Sequence, residues 1–291
     1  MSSNVPSSSQ ALAVFRYGRF GPIFLAIFVL TLLATAGFVV YLGSTLPEDV
    51  LGEAVSFDFR GTDVNGVTGR SLFWGSAAFL VLLAIIMSLV LMSVIKRRRG
   101  HFELHPEGIV RQSGAERLYT RFADIGDLYL FASGQTAVAG LINNFAYRVE
   151  GGDWIKASFE LKGFQDLLLE MRKRHVEHRC PPMHARIGNG ERVIFRYIDG
   201  AQFLKKRVIG NFMRMKTQEL SLSGEGLSVD GKLWPYAQLQ ALDQNDWIER
   251  LAIKASDGTT VFSCFGPALL STDVFIEIFE DLRVAAMGAP R

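Results

Sequence analysis

Two uncharged apolar runs dominate the first third of the chain, Gly21–Gly43 and Leu72–Ile95. As helices rising 1.5 Å per residue, each would extend roughly 35 Å, enough to cross a hydrocarbon core of ~30 Å with some tilt. Pro22 falls in the first turn of its run, where a missing N–H costs little. The second run ends at four consecutive cations, Lys96-Arg97-Arg98-Arg99. Between the runs, residues 44–71 are polar. They carry Glu48, Asp49, Glu53, Asp58 and Asp63 against Arg60 and Arg70, with a turn signal at Asn65-Gly66. The pattern predicts transmembrane helices over 21–43 and 72–95 and an external loop over 44–71. Residues 1–20, beginning with a Ser-rich polar stretch, read as a disordered cytoplasmic tail. Arg16, Arg19, Lys96, Arg97, Arg98 and Arg99 flank the runs on the side opposite the acidic loop. The positive-inside rule then places both termini in the cytoplasm and these six cations at the membrane surface. A cleaved signal peptide is the rival reading, with Ala34-Thr35-Ala36 as its cleavage site. The run continues past that point through Phe38-Val39-Val40, longer than a signal peptide's apolar region. Small residues (Ala34, Ala36, Gly37; Gly75, Ser76, Ala77) allow close helix contact within one chain or between copies, which leaves a homo-oligomer open.

From Gly100 onward apolar and polar residues alternate with the period of half-buried strands. Phe102/Leu104, Ile109/Val110, Leu118/Phe122 and Leu128–Phe131 mark the first strands, and Asn144–Val149 and Trp154–Leu161 the later ones. Phe164–Val176 follows, with Phe164, Leu167, Leu168 and Met171 on one helical face. The order then recurs. Leu104-His105-Pro106-Glu107-Gly108-Ile109 is echoed by Leu222-Ser223-Gly224-Glu225-Gly226-Leu227, and Phe122-Ala123-Asp124-Ile125 by Tyr236-Ala237-Gln238-Leu239. A second amphipathic helix, Thr272–Val284, closes the chain with Val274, Phe275, Ile278 and Leu282 on one face. Cys180-Pro181-Pro182 is expected to break the first of these helices.

The Glu-Gly-aliphatic turn, the aromatic-containing strand after it and the closing helix resemble the bacterial pleckstrin-homology-like (PH-like) domain. The resemblance covers about Gly100–Glu177 and Gln218–Ala286, and the two domains are expected over residues 100–178 and 185–286. It implies an α+β membrane protein: a two-helix transmembrane hairpin followed by tandem PH-like bent antiparallel sheets, each closed by a C-terminal helix. It also implies residence in the bacterial cytoplasmic (inner) membrane and a non-catalytic binding or scaffold role, with no enzyme residues to carry over. The turns Ser113–Arg117 and Asp230–Lys232, where lipid-phosphate ligands would lie in such domains, are not strongly basic.

Composition narrows the chemistry. Net charge is +2, too mild for a surface that tracks nucleic-acid phosphates. The two cysteines, Cys180 and Cys264, have no paired spacing and give no disulfide framework. His175, His178, Cys180 and His184 are metal-ligand types, but their order matches no zinc spacing and Pro181-Pro182 splits them. Asp243, Asp246 and Glu249 read as part of a turn. No cofactor site emerges. Lys205, Lys206, Arg207, Arg214 and Lys216, interleaved with apolar residues, are candidate contacts for lipid or a partner. The expected partners are membrane lipids and a protein. A membrane immunity protein that neutralises a toxin, and a lipid-sensing or lipid-handling protein, are the alternatives.

Overall fold

The computed structural model describes residues 10–52, 54–59, 62–132, 142–200, 202–203, 216–245 and 250–288. The chain is α+β and divides into two units: Tyr17–Gly100, and a second formed by the residues up to Arg16 together with His101–Arg291.

The first unit contains two helices long and apolar enough to cross a membrane, α1 (Phe20–Thr45) and α3 (Gly69–Arg97). Each extends a few residues beyond the span read from the apolar runs. Their large apolar side chains point outward, with Phe24 62% and Leu89 58% exposed. Buried positions along the pair are few and mostly small: Ala36 on α1, Ala77 and Ala84 on α3. Of the six small residues noted above, only Ala36 and Ala77 are buried; Ala34, Gly37, Gly75 and Ser76 face outward. The hydroxyls of Thr31, Thr35 and Ser88 donate to carbonyls one turn back, so they add no unpaired polar group to the apolar surface. The stretch between the helices is more ordered than a polar tether. It forms α2 (Glu48–Gly52) and an antiparallel pair, β2 (Ala54–Phe59) and β3 (Thr62–Thr68). Asn65-Gly66 is not the turn. The pairing passes from Val55↔Val67 to Phe57↔Val64, so these two residues oppose one, as in a β-bulge.

The second unit begins before the apolar helices. β1 (Ala13–Arg16) pairs antiparallel with β4 (His101–Leu104), Phe15 opposite Phe102. These residues are therefore ordered, contrary to the disordered tail expected over 1–20. β5 (Gly108–Ser113) and β6 (Glu116–Arg121) complete a four-stranded sheet of order β1-β4-β5-β6. A 3-10 turn, Phe122–Asp124, leads to a three-stranded sheet of β7 (Ile125–Phe131), β8 (Asn144–Val149) and β9 (Ile155–Ser158). Helix α4 (Phe164–Gly188) follows. The next sheets take the same succession: β10 (Val193–Ile198), β11 (Thr217–Leu222), β12 (Gly226–Val229) and β13 (Lys232–Pro235) form four strands. β14 (Asp243–Asn245), β15 (Arg250–Lys254) and β16 (Thr260–Phe265) form three, and α5 (Thr272–Gly288) ends the described chain.

The repeated Glu-Gly motif has a steric cause. A Cβ on Gly108 would lie 2.5 Å from the Thr120 carbonyl oxygen of the neighbouring strand. On Gly226 it would press still closer to the Trp234 carbonyl oxygen. The glycines let β5 meet β6 and β12 meet β13 closely. Each stands just after a tight turn, β4–β5 or β11–β12, where the amides of His105 and Ser223 donate to the Gly108 and Gly226 carbonyls.

Helix α4 does not stop at Cys180-Pro181-Pro182, and it crosses the boundary expected between 178 and 185. Two prolines remove two backbone donors. Helical geometry persists because buried side chains grip the helix on both sides of the pair. Phe164 stacks on Phe145 of β8, 5.8 Å between rings, while Cys180, Met183 and Ile187 belong to a core with Phe195, Leu220, Leu251, Phe262, Phe275 and Phe279. A further apolar cluster joins the two halves: Tyr129, Phe131 and Ala146 meet Ile198, Phe203, Ala268 and Leu270.

Gly226→Ala is expected to destabilise the protein by ~1–3 kcal/mol, the usual cost of forcing extra atoms into a packed site. Gly224→Ala, whose Cβ would meet nothing closer than 4.0 Å, is expected to be near neutral. Denaturant unfolding of the detergent-solubilised protein compares the two.

Candidate functional site

Five of the six cations read as membrane-surface contacts cluster by residue position at one end of the helix pair. Arg19 caps the start of α1 and is exposed; Lys96 and Arg97 are in the last turn of α3. Arg98 is the C-cap of α3. Its guanidinium donates to the Gly18 carbonyl at 3.0 Å, tying the end of α3 to the start of α1. Lys96 and Arg99 are exposed. Arg16 lies in the other unit, as the last residue of β1, with its side chain exposed and its carbonyl accepting the Lys162 amide at 2.9 Å. Lys216 is exposed and immediately precedes β11; Lys205, Lys206, Arg207 and Arg214 lie outside the described residues. Chemically, an array of exposed guanidinium and ammonium groups at the end of an apolar helix pair suits anionic phosphate oxygens.

The four metal-ligand types all lie on α4 but face different neighbours. His175 is 1% exposed and its Nε2 lies 3.0 Å from the Ser271 hydroxyl. The His178 ring stacks on Phe122, and His184 pairs with Asp281 at 3.2 Å. Cys180 is buried in the second core, where burial, followed by the charges of Glu277 and Asp281, pushes its thiol up to about 11. Among the described residues, no three His, Cys, Asp or Glu side chains gather as a metal set. Asp243 pairs with Lys254 at 3.6 Å, while 246–249 lie outside the described residues.

The densest polar cluster joins the two halves. Asp127 on β7 is buried and takes the Arg148 guanidinium at 2.6 Å and Arg196 of β10 at 3.3 Å. Arg196 also reaches Glu150 and Glu219, each at 3.6 Å. Arg172 of α4 donates two hydrogen bonds to Asp273 in the first turn of α5, at 2.7 and 2.8 Å. Ser271, with φ of 55°, sits between these groups. Its amide donates to the Leu128 carbonyl at 2.7 Å, and its hydroxyl oxygen accepts from the Leu128 amide at 3.1 Å. The hydroxyl proton is then free to donate to His175 Nε2, which requires a neutral imidazole. Burial, reinforced by the Arg179 charge and opposed by Asp273, pulls His175 down to about 4. Elsewhere, Glu103 on β4 meets Arg117 at 2.7 Å and His101 at 3.0 Å. Burial pushes its carboxyl up, but the hydrogen bonds from His101 and Arg117 outweigh burial and leave it below the ordinary carboxylate value.

None of these joint-forming residues was legible as a cluster, because Asp127, Arg196 and Ser271 are far apart in sequence. One signal was available. Val14-Phe15-Arg16-Tyr17, which begins on β1, matches Ile194-Phe195-Arg196-Tyr197 on β10, and this marks 13–16 as a strand. No family model, no curated protein and no solved structure matches the chain.

A neutral folded-state His175 contributes stability that is complete above the unfolded imidazole value of 6.5 and is lost as pH falls toward about 4. Replacing it with Gln, which keeps a polar partner for Ser271, is expected to flatten the loss of stability between pH 6.5 and 4 by up to ~3 kcal/mol relative to the parent. Urea unfolding midpoints across that pH range measure the difference.

Proposed function

We propose that this chain is a membrane-anchored, non-catalytic binding protein in the bacterial cytoplasmic membrane. In this reading α1 and α3 span the bilayer with both chain ends in the cytoplasm. Two PH-like domains then present a docking surface to a protein partner. The observation that carries the reading is the succession of a four-stranded sheet, a three-stranded sheet and a closing helix, which occurs twice. That succession supports the sequence resemblance, which implies a bent antiparallel sheet closed by a C-terminal helix. The outward apolar faces of α1 and α3 support the anchor, since such surfaces are stable against lipid and costly against water. The cations at one end of the pair support the orientation. The chemistry of the second unit supports binding over turnover: its buried Asp127 and buried His175 are engaged in holding the two halves together.

Carbonate washing and protease protection of the tagged full-length protein test the anchor and its orientation. The protein is expected to stay with the membrane pellet. A C-terminal tag is expected to survive external protease in spheroplasts and to be cut in inverted vesicles. Loss of the tag in intact spheroplasts would overturn the orientation. Cross-linking in native membranes, followed by identification of the captured chain, tests the binding role: a stoichiometric partner is expected, and no cross-linked partner at any reagent concentration would count against it.

A lipid-contacting reading is favoured by one topological observation. Residues 199–216 connect β10 to β11, the place that Tyr17–Gly100 occupies between β1 and β4. Lys205, Lys206 and Arg207 fall within that connection. A Lys216→Cys probe in lipid nanodiscs is expected to report a less polar environment with anionic than with zwitterionic lipid. The difference should be lost when the three cations are neutralised or when salt is raised to about 1 M, where the Debye length falls to ~3 Å.

A further inference from the structure

We infer that the apolar helix pair is an insertion into the first strand connection of the first half, and that β1 is a strap that completes that half after the chain has crossed and recrossed the membrane. The inference rests on the anchoring reading above and goes beyond it, because it says why the segment before the anchor and the segment after it must lie on one side.

Registration of the two halves carries the argument. The Glu-Gly motifs align Leu104 with Leu222. Ala13 is the pairing partner of Leu104, and Val193 of Leu222. Phe15 opposite Phe102 therefore corresponds to Phe195 opposite Leu220, and Arg16 to Arg196. Side-chain directions agree: Phe15 and Phe195 are buried, while Val14 and Ile194 face out. The strand ends are closed alike. The Arg16 carbonyl accepts the Lys162 amide, and the Arg196 carbonyl accepts the Leu270 amide, each at 2.9 Å. The next residue in each case is left-handed and precedes the closing helix: Gly163 at φ 73° before α4, Ser271 at φ 55° before α5. A Cβ on Gly163 would lie 3.3 Å from the Phe15 ring, so the strap and the helix start are fitted to each other. β1 thus holds the position of a first strand, and the first half does not begin at Gly100.

Two consequences follow from chain connectivity. An even number of crossings is obligatory, because one crossing would leave β1 across the bilayer from its partner strand. Before β1 arrives, β4 is an unpaired edge and the Phe15 site is an open apolar notch, the kind of surface that recruits wrong strands. Completion of the first sheet therefore waits on insertion of both helices.

The test uses the full-length protein in its membrane. Arg16→Cys with His101→Cys places two thiols on directly opposed residues of β1 and β4, where Cβ atoms stand about 5 Å apart. A protease site introduced into 44–71 then separates the chain into two fragments. The expected result is that oxidised, nicked protein runs as one species until reductant is added. Fragments that separate without reductant, or a disulfide that joins two copies, would overturn the inference. In a second arm Phe15→Ser is expected to speed proteolysis of the region after His101 by about tenfold or more, since cleavage tracks the open population. Val14→Ser, on the outward face, is expected to change it by less than about twofold. Equal resistance of Phe15→Ser and parent would overturn the strap. Carbonate extraction separates the two readings. Pelleting without cross-linking defeats this inference alone, whereas release with the disulfide formed defeats the anchor and the crossing requirement with it.

Discussion

The second unit depends on one helix serving two cores. Helix α4 is 25 residues long, and its buried positions run from Phe164 to Ile187. Its first turns lie on the β8 side of the first half, and its last turns enter the core that holds Phe195, Phe275 and Phe279. A helix buried at both ends cannot bend at its prolines without opening an apolar cavity on one side or the other. The cost of such a cavity exceeds the cost of two missing backbone hydrogen bonds. This is why Pro181-Pro182 sits inside a continuous helix, and why the two halves form one body instead of two tethered domains.

Around that helix the polar groups are arranged to make the joint specific. The apolar contact of Tyr129, Phe131 and Ala146 with Ile198, Ala268 and Leu270 supplies burial but little directionality. Direction comes from Asp127 bridging Arg148 and Arg196, from the Arg172–Asp273 pair, and from Ser271 linking Leu128 to His175. A buried carboxylate between two guanidinium groups penalises any arrangement that separates them, because each ion would then be left without its partner in a low-dielectric setting. Titratable groups gathered this closely resemble a reactive site. Their geometry instead makes them the register marks of an internal interface.

The first unit obeys a different solvent logic. Its helices expose the side chains that a water-soluble bundle would bury, and they bury small residues between them. Hydroxyls turn back onto their own helix, and the cations collect where the apolar runs end. The apolar faces are stable against hydrocarbon and costly against water, the back-bonded hydroxyls add no penalty in hydrocarbon, and the cations suit the headgroup region, which is the physical content of the anchoring proposal.

Much of this was legible from the amino-acid sequence. The two apolar runs, the cationic stop, the strand alternation after Gly100, the amphipathic face of Phe164–Met171 and the recurrence of the Glu-Gly turn are local patterns, set by the nearest few residues. Even the steric need for Gly108 and Gly226 left its mark as a repeated motif. The course of α4 through its prolines, the use of Asn65-Gly66 as a bulge and the convergence of Asp127, Arg196, Ser271 and His175 were not local. Each is decided by which distant surfaces pack together, and propensity is overruled wherever burial on both sides costs less than the rule it breaks. The N-terminal strand shows the division most plainly. Four residues, Ala13–Arg16, are too short to announce themselves beside a long apolar run, although their likeness to the start of β10 was present in the sequence. Only the tertiary structure pairs them with β4, because only there do the two ends of the intervening segment meet.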